Sequence, residues 1–291
     1  MNYAYLFLTY DNILHEKQIL DIVSDNNIYI HPKYPEKVSK SFKKYIINNL
    51  VPTEWAKYSI VQATINLLQE AYKNSNNQWF ILLSSDSYPL LTKNKHFLKK
   101  YDKSIFSYIT MFKDYYKTSQ WWIMTRQDVK IVLDSISKSK YKHRFKDLGI
   151  QGAIDEFYFL SILMWEKKNY EYIDMQPIYV RWQTYAFSPH PILFNRLTLV
   201  DHEILKKSKS FFMRKVTDTF IFKKKNVMKT LVILTVGTYS NQHNIVEYMM
   251  KNIKTSDFIL FNEFDNINDI DKTIIEIVYY IYFIKYKVYY D

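Results

Sequence analysis

The residues best placed to do chemistry in this chain are carboxylates at the edges of apolar segments. Asp155 and Glu156 head a segment expected to be helical over residues 154–167. A carboxylate there can accept a proton in general base catalysis. It can equally do no more than cap the helix, favoured by the helix dipole. The local sequence leaves both roles open. Asp86 lies in the polar loop Ser84-Ser85-Asp86-Ser87, just past the fully apolar run over residues 79–83. Ligands of open α/β sheets bind in the crevice beyond the carboxyl ends of the strands. Hard divalent cations prefer several oxygen ligands, and this loop supplies a single carboxylate. Asp269-Ile270-Asp271 is a literal D-x-D pair, read here as a solvated helix start. Glycine-rich phosphate loops are absent: the chain has 3 glycines and neither GxGxxG nor GxxxxGK[ST].

The elements that must hold these groups read as alternating short apolar runs and helical patterns, the mark of an α/β sheet. Strands are expected over residues 4–9, 28–30, 79–83 and 121–124. Helices are expected over 13–24, 59–72, 126–137, 154–167 and 201–208, with a late strand or helix start at 210–215. In the second of these helices Ile60, Ala63, Thr64, Leu67, Leu68 and Ala71 fall on one face. Pro32 stops the strand that ends at His31. Residues 138–149 are basic and loop-like, and Ser188-Pro189-His190-Pro191 is a proline-rich loop. After about residue 220 the α/β pattern restarts, with a strand at 230–236, a helix at 244–252 and a strand at 258–261. The expected division is therefore 1–220 and a C-terminal α/β extension, 221–291.

Of 291 residues, 48% are hydrophobic and 24% charged, which gives the chain a proper core. The net charge of +11 fits lysine-rich coding, a nucleic-acid surface or an anionic ligand. No helix-turn-helix, zinc-finger or RNP signature supports nucleic acid as the partner. The dense run Lys223-Lys224-Lys225 reads as a solvated turn. The absence of cysteine excludes disulfides and thiolate metal sites. No apolar run reaches the roughly 20 residues that span a bilayer. The stretch 274–290 comes nearest and is interrupted by Glu276, Lys285 and Lys287. The first ten residues lack the features of a signal peptide. The expectation is a soluble protein in a reducing compartment, the cytoplasm of a bacterium or of a virus-infected host.

An ordered set of segments carries a further signal. It runs through Ala4-Tyr5-Leu6-Phe7-Leu8-Thr9-Tyr10, Ile28-Tyr29-Ile30-His31-Pro32, and Trp55 with Ser59-Ile60-Val61-Gln62-Ala63. It continues through Phe80-Ile81-Leu82-Leu83-Ser84 with Tyr88-Pro89-Leu90, then Ser119-Gln120-Trp121-Trp122-Ile123-Met124-Thr125-Arg126 and Asp155-Glu156. Val180-Arg181-Trp182, His190-Pro191 and Phe212-Met213-Arg214-Lys215 complete it. Over about residues 3–220 this series resembles the core-2/I-branching and xylosyltransferase-like family, glycosyltransferase family 14.

The resemblance implies a GT-A-type, Rossmann-like nucleotide-sugar-binding fold with a mostly parallel central sheet. It implies inverting transfer of GlcNAc or xylose from a UDP-sugar to a hydroxyl of a glycan or glycoprotein, without a metal cofactor. Glu156 then matches the base. His31, Arg196 and Lys215 match positions that contact the nucleotide and diphosphate, with Arg214 competing in that alignment. Asp86, Ser119 and Trp182 fall where the donor or acceptor sugar sits. His31 is otherwise a histidine satisfied by loop backbone, Trp182 a core tryptophan, and His190 a turn residue. At least one of Trp121 and Trp122 belongs to the core. The alternative function is a catalytically inactive nucleotide-sugar or glycan-binding protein.

Overall fold

The first strand, β1 (Asn2–Thr9), is buried on both faces from Tyr3 to Phe7. A half-exposed strand alternates; a run apolar on both faces belongs at the centre of a parallel sheet. Its neighbours β2 (Ile28–Pro32) and β3 (Asn77–Ser84) both run parallel to it. The register sets Thr9 against Pro32 and Leu8 against Ser84, so the three polar carboxyl ends meet at one edge. The helices α1 (Glu16–Ile22), α2 (Lys40–Lys43) and α3 (Tyr58–Tyr72) lie between these strands in the chain.

Past β3 come β4 (Tyr88–Pro89), β5 (Ile105–Phe106), β6 (Tyr108–Phe112), β7 (Tyr115–Thr118), β8 (Ile123–Thr125) and α4 (Arg126–Ser137). Then follow α5 (Asp155–Glu166), β9 (Ile173–Asp174), β10 (Ile178–Val180), α6 (Leu199–Ser208) and β11 (Phe212–Arg214). The central sheet has the order β2-β1-β3-β8-β5-β9. Only β8 runs against its neighbours, so this mixed α/β sheet is mostly parallel. A smaller sheet, β10-β11-β4, carries Arg214 at the end of its middle strand. β6 and β7 form a separate antiparallel hairpin.

This computed structural model describes residues 2–22, 27–90, 97–137, 141, 144–145, 153–182, 191–220, 231–236 and 257–262. The chain divides into two units, Met1–Asn195 with Leu205–Phe220, and Arg196–Ile204 with Ile221–Asp291. In the second unit β12 (Leu231–Val236) pairs in parallel with β13 (Asp257–Asn262). The helix expected at 244–252, Lys223-Lys224-Lys225 and Asp269-Ile270-Asp271 lie outside the described residues. Among the described residues no helix is long and apolar enough to cross a membrane.

Helix α3 is buried on more than the expected face, because it packs on β1 and β2 as well as on α4 and α5. Its C-terminal carbonyls, which have no partner within the helix, are met by Arg126. That guanidinium donates to the carbonyls of Tyr72 (2.9 Å), Asn74 (3.0 Å) and Asn77 (3.1 Å). It also stacks 3.9 Å from the Tyr72 ring centroid. One residue thus fixes the helix end, the start of β3 and the head of α4. The strand expected at 121–124 begins two residues later. Trp121 and Trp122 precede it and both are buried, so neither alternates outward.

Candidate active site

A cleft of about 410 Å³ lies in the first unit. Glu156 enters it from the first turn of α5, with its side chain 27% exposed. No side chain caps that helix. Its first N–H groups are served by backbone instead, Glu156 N–H donating to the Ala153 carbonyl at 3.0 Å. The carboxylate therefore points away from a capping role and pairs with Lys117 Nζ at 3.3 Å. Lys117 comes from β7, which is laced to α5 at two points. Tyr116 N–H donates to Ser161 Oγ at 2.8 Å, and Thr118 Oγ1 donates to the Glu156 carbonyl at 3.2 Å. Nothing local in the sequence marks Lys117; only the packing of the hairpin on α5 brings it to Glu156.

Asp155 lines the same cleft but is buried, 6% exposed. Burial, then the charge of Glu156, pushes its carboxyl up to about 7. Its Oδ1 has no hydrogen-bond partner among the described residues.

The cations of the cleft come from the end of β11 and the residue after it. Arg214 is held on two sides: Nε donates to Asp86 Oδ1 at 3.2 Å, and the guanidinium stands 4.6 Å over the Trp121 ring. Asp86 also accepts from Ser84 Oγ at 2.5 Å, and its carbonyl accepts from Val216 N–H at 3.1 Å. The loop beyond β3 thus acts as a brace for Arg214. Lys215 follows it on the cleft wall and makes no ion pair among the described residues. Ser119 lines the cleft too, its Oγ accepting from Trp121 N–H at 3.4 Å. Trp182 is 55% exposed and Trp55 is 75% exposed, and both line the cleft. The core reading of Trp182 is therefore corrected: among the described residues no packed layer covers it.

Four of the residues singled out in the sequence, Glu156, Ser119, Trp182 and Lys215, meet in this one cleft. Asp86 touches it through Arg214. His31 is fully buried at the end of β2, its Nε2 accepting from Val51 N–H at 3.0 Å, while its Nδ1 has no partner among the described residues. Burial holds that imidazole down at about 4, so it is neutral at physiological pH. Arg196 is exposed and belongs to the second unit. His190 lies outside the described residues. Sequence reasoning gave no role to Lys117 or Trp55 and preferred Arg196 to Arg214. Among the described residues no three His, Asp or Glu side chains come together in a group that could hold a metal.

Residues 3–108 match the family model of the Core-2/I-Branching enzyme. That family is one of glycosyltransferases. No curated protein matches the chain. Among solved structures, the crystal structure of A197 from STIV is similar at 8% identity and a TM-score of 0.26, over 45% of this chain and 68% of that one.

Proposed function

We propose, taking the Core-2/I-Branching match over residues 3–108 as the premise, that the cleft carries out inverting sugar transfer from a UDP-sugar. One observation carries this reading: a glutamate, Glu156, and two cations, Arg214 and Lys215, line the same cleft. Glu156 takes the proton of an acceptor hydroxyl as its oxygen bonds to the anomeric carbon. The bond from that carbon to the diphosphate breaks, and UDP leaves with the electron pair. Arg214 and Lys215 meet the charge that develops on the departing diphosphate, and a brace already in place costs little reorganisation. The donor sugar is GlcNAc or xylose, and the acceptor is a hydroxyl of a glycan or glycoprotein. Trp182 and Trp55 offer aromatic faces to the C–H surfaces of sugar rings.

The same reading dispenses with a metal. The single carboxylate beyond β3, Asp86, is engaged by Arg214, so the diphosphate is left to Lys215 and to the guanidinium donors of Arg214 that Asp86 does not take. The test is a thermal-shift titration of UDP, GDP and CMP in EDTA. A ligand bound only by the folded state stabilises it by roughly 2.7 kcal/mol at a hundredfold excess over Kd. For a unit of this size that is a rise in Tm of about 5–10 °C. UDP should give that rise in EDTA, and GDP and CMP should not. A shift that needs Mn²⁺, or no shift with any nucleotide, would contradict the proposal.

A further inference from the structure

The carboxylate beside the base has no part in the transfer just described, yet it lines the same cleft. Asp155 is 6% exposed, and its Oδ1 has no partner among the described residues. Burying a polar group without a hydrogen bond is costly, and native proteins leave few such groups. The charged groups around it are accounted for. Glu156 on α5 is paired with Lys117 from β7, and Arg214 from β11 with Asp86. None of them, nor Lys215, bonds to Asp155 among the described residues. That oxygen is therefore open to a hydrogen bond that a ligand supplies.

Depth decides which part of the ligand. Trp182 and Trp55 are exposed, so they meet what arrives last at the rim of the cleft. Asp155 is nearly closed off and adjoins the glutamate, so it meets what is already bound inside. We propose that Asp155 is a positioning and specificity-determining residue that hydrogen-bonds a hydroxyl of the donor sugar while Glu156 acts on the acceptor. This rests on the sugar-transfer reading of the cleft. A carboxyl that keeps its proton up to about pH 7 both donates and accepts, and it adds no second negative charge beside Glu156.

Two substitutions test it. Asp155→Leu keeps the branched skeleton, in a larger side chain, and removes the hydrogen bond; Asp155→Asn keeps the size and a group that donates and accepts. Calorimetric titration with UDP, UDP-GlcNAc and UDP-xylose is the readout. Asp155→Leu should leave UDP affinity within about twofold and weaken the preferred UDP-sugar by about tenfold or more. Asp155→Asn should restore most of the loss. Equal loss for UDP and UDP-sugar, or no loss for either, overturns the inference while leaving the transfer reading intact. A wild-type protein that binds neither UDP nor UDP-sugar removes both.

A second measurement holds if the leucine variant does not fold. The folded state keeps the Asp155 proton up to about pH 7, whereas the unfolded chain gives it up in the ordinary aspartate range. The folded state therefore binds more protons in between, and this residue makes stability fall as pH rises from about 4 to 7. Denaturation of wild type and Asp155→Asn should diverge over that window, with the asparagine variant the more stable above pH 7. Parallel curves would mean that the carboxyl already has a protein partner, and the inference fails.

Discussion

Glu156→Gln should leave the protein folded and binding UDP-sugar nearly as before, while transfer slows by roughly 100- to 10,000-fold. Glutamine keeps the shape and polarity of the side chain but cannot accept a proton at neutral pH. The substitution is mild for the fold because the N–H groups at the start of α5 are served by backbone carbonyls, not by this carboxylate. It does break the pair with Lys117, whose two side chains are about a third exposed. Ion pairs that wet contribute roughly 0–1 kcal/mol. A change in Tm beyond that would signal a structural role. Transfer at near wild-type rate would take the base away from Glu156, with Asp155 and Asp86 the next carboxylates to test.

The second large effect is expected at the brace. Arg214→Ala should weaken UDP binding by roughly 10- to 150-fold, the loss of a charge-assisted contact of about 1.5–3 kcal/mol. Lys215→Ala should act in the same direction. Arg214→Lys should not restore binding, because an ammonium lacks the planar fork and stacks poorly on Trp121. Asp86→Asn should give an intermediate loss, since it leaves the guanidinium charge but loosens its aim. Calorimetric titration of UDP against these variants checks the set. Unchanged UDP affinity in both alanine variants would mean that the diphosphate does not sit on β11.

What could be read from sequence follows the range of the interactions involved. β1 and β3 are continuous apolar runs, and α4 shows its own period, so each was legible from its own residues. The hairpin was not. All five residues of β6 are exposed, Ile109, Met111 and Phe112 among them, so no alternation marks it. Its second strand is held by α5, some forty residues further on. Lys117 was invisible for the same reason. Glu156, Lys215 and Trp182 could be named because a resemblance carries them in order; local physics left each with a bland alternative. Arg214 was passed over because its aim depends on Asp86, 128 residues away in the chain. At least one of Trp121 and Trp122 was expected in the core, and both are buried. The strand itself starts only after them, at Ile123.

In the proposed transfer Glu156 activates an oxygen nucleophile against the anomeric carbon from the face opposite the diphosphate. Water can stand in for the acceptor in slow hydrolysis of the donor, so no acceptor need be known. The direct measurement is proton NMR of the first sugar released from UDP-GlcNAc or UDP-xylose, both α-linked donors, before mutarotation. The prediction is the β anomer with the wild-type protein in EDTA, and its loss in Glu156→Gln. Release of the α anomer first, or equal release from the glutamine variant, would contradict it.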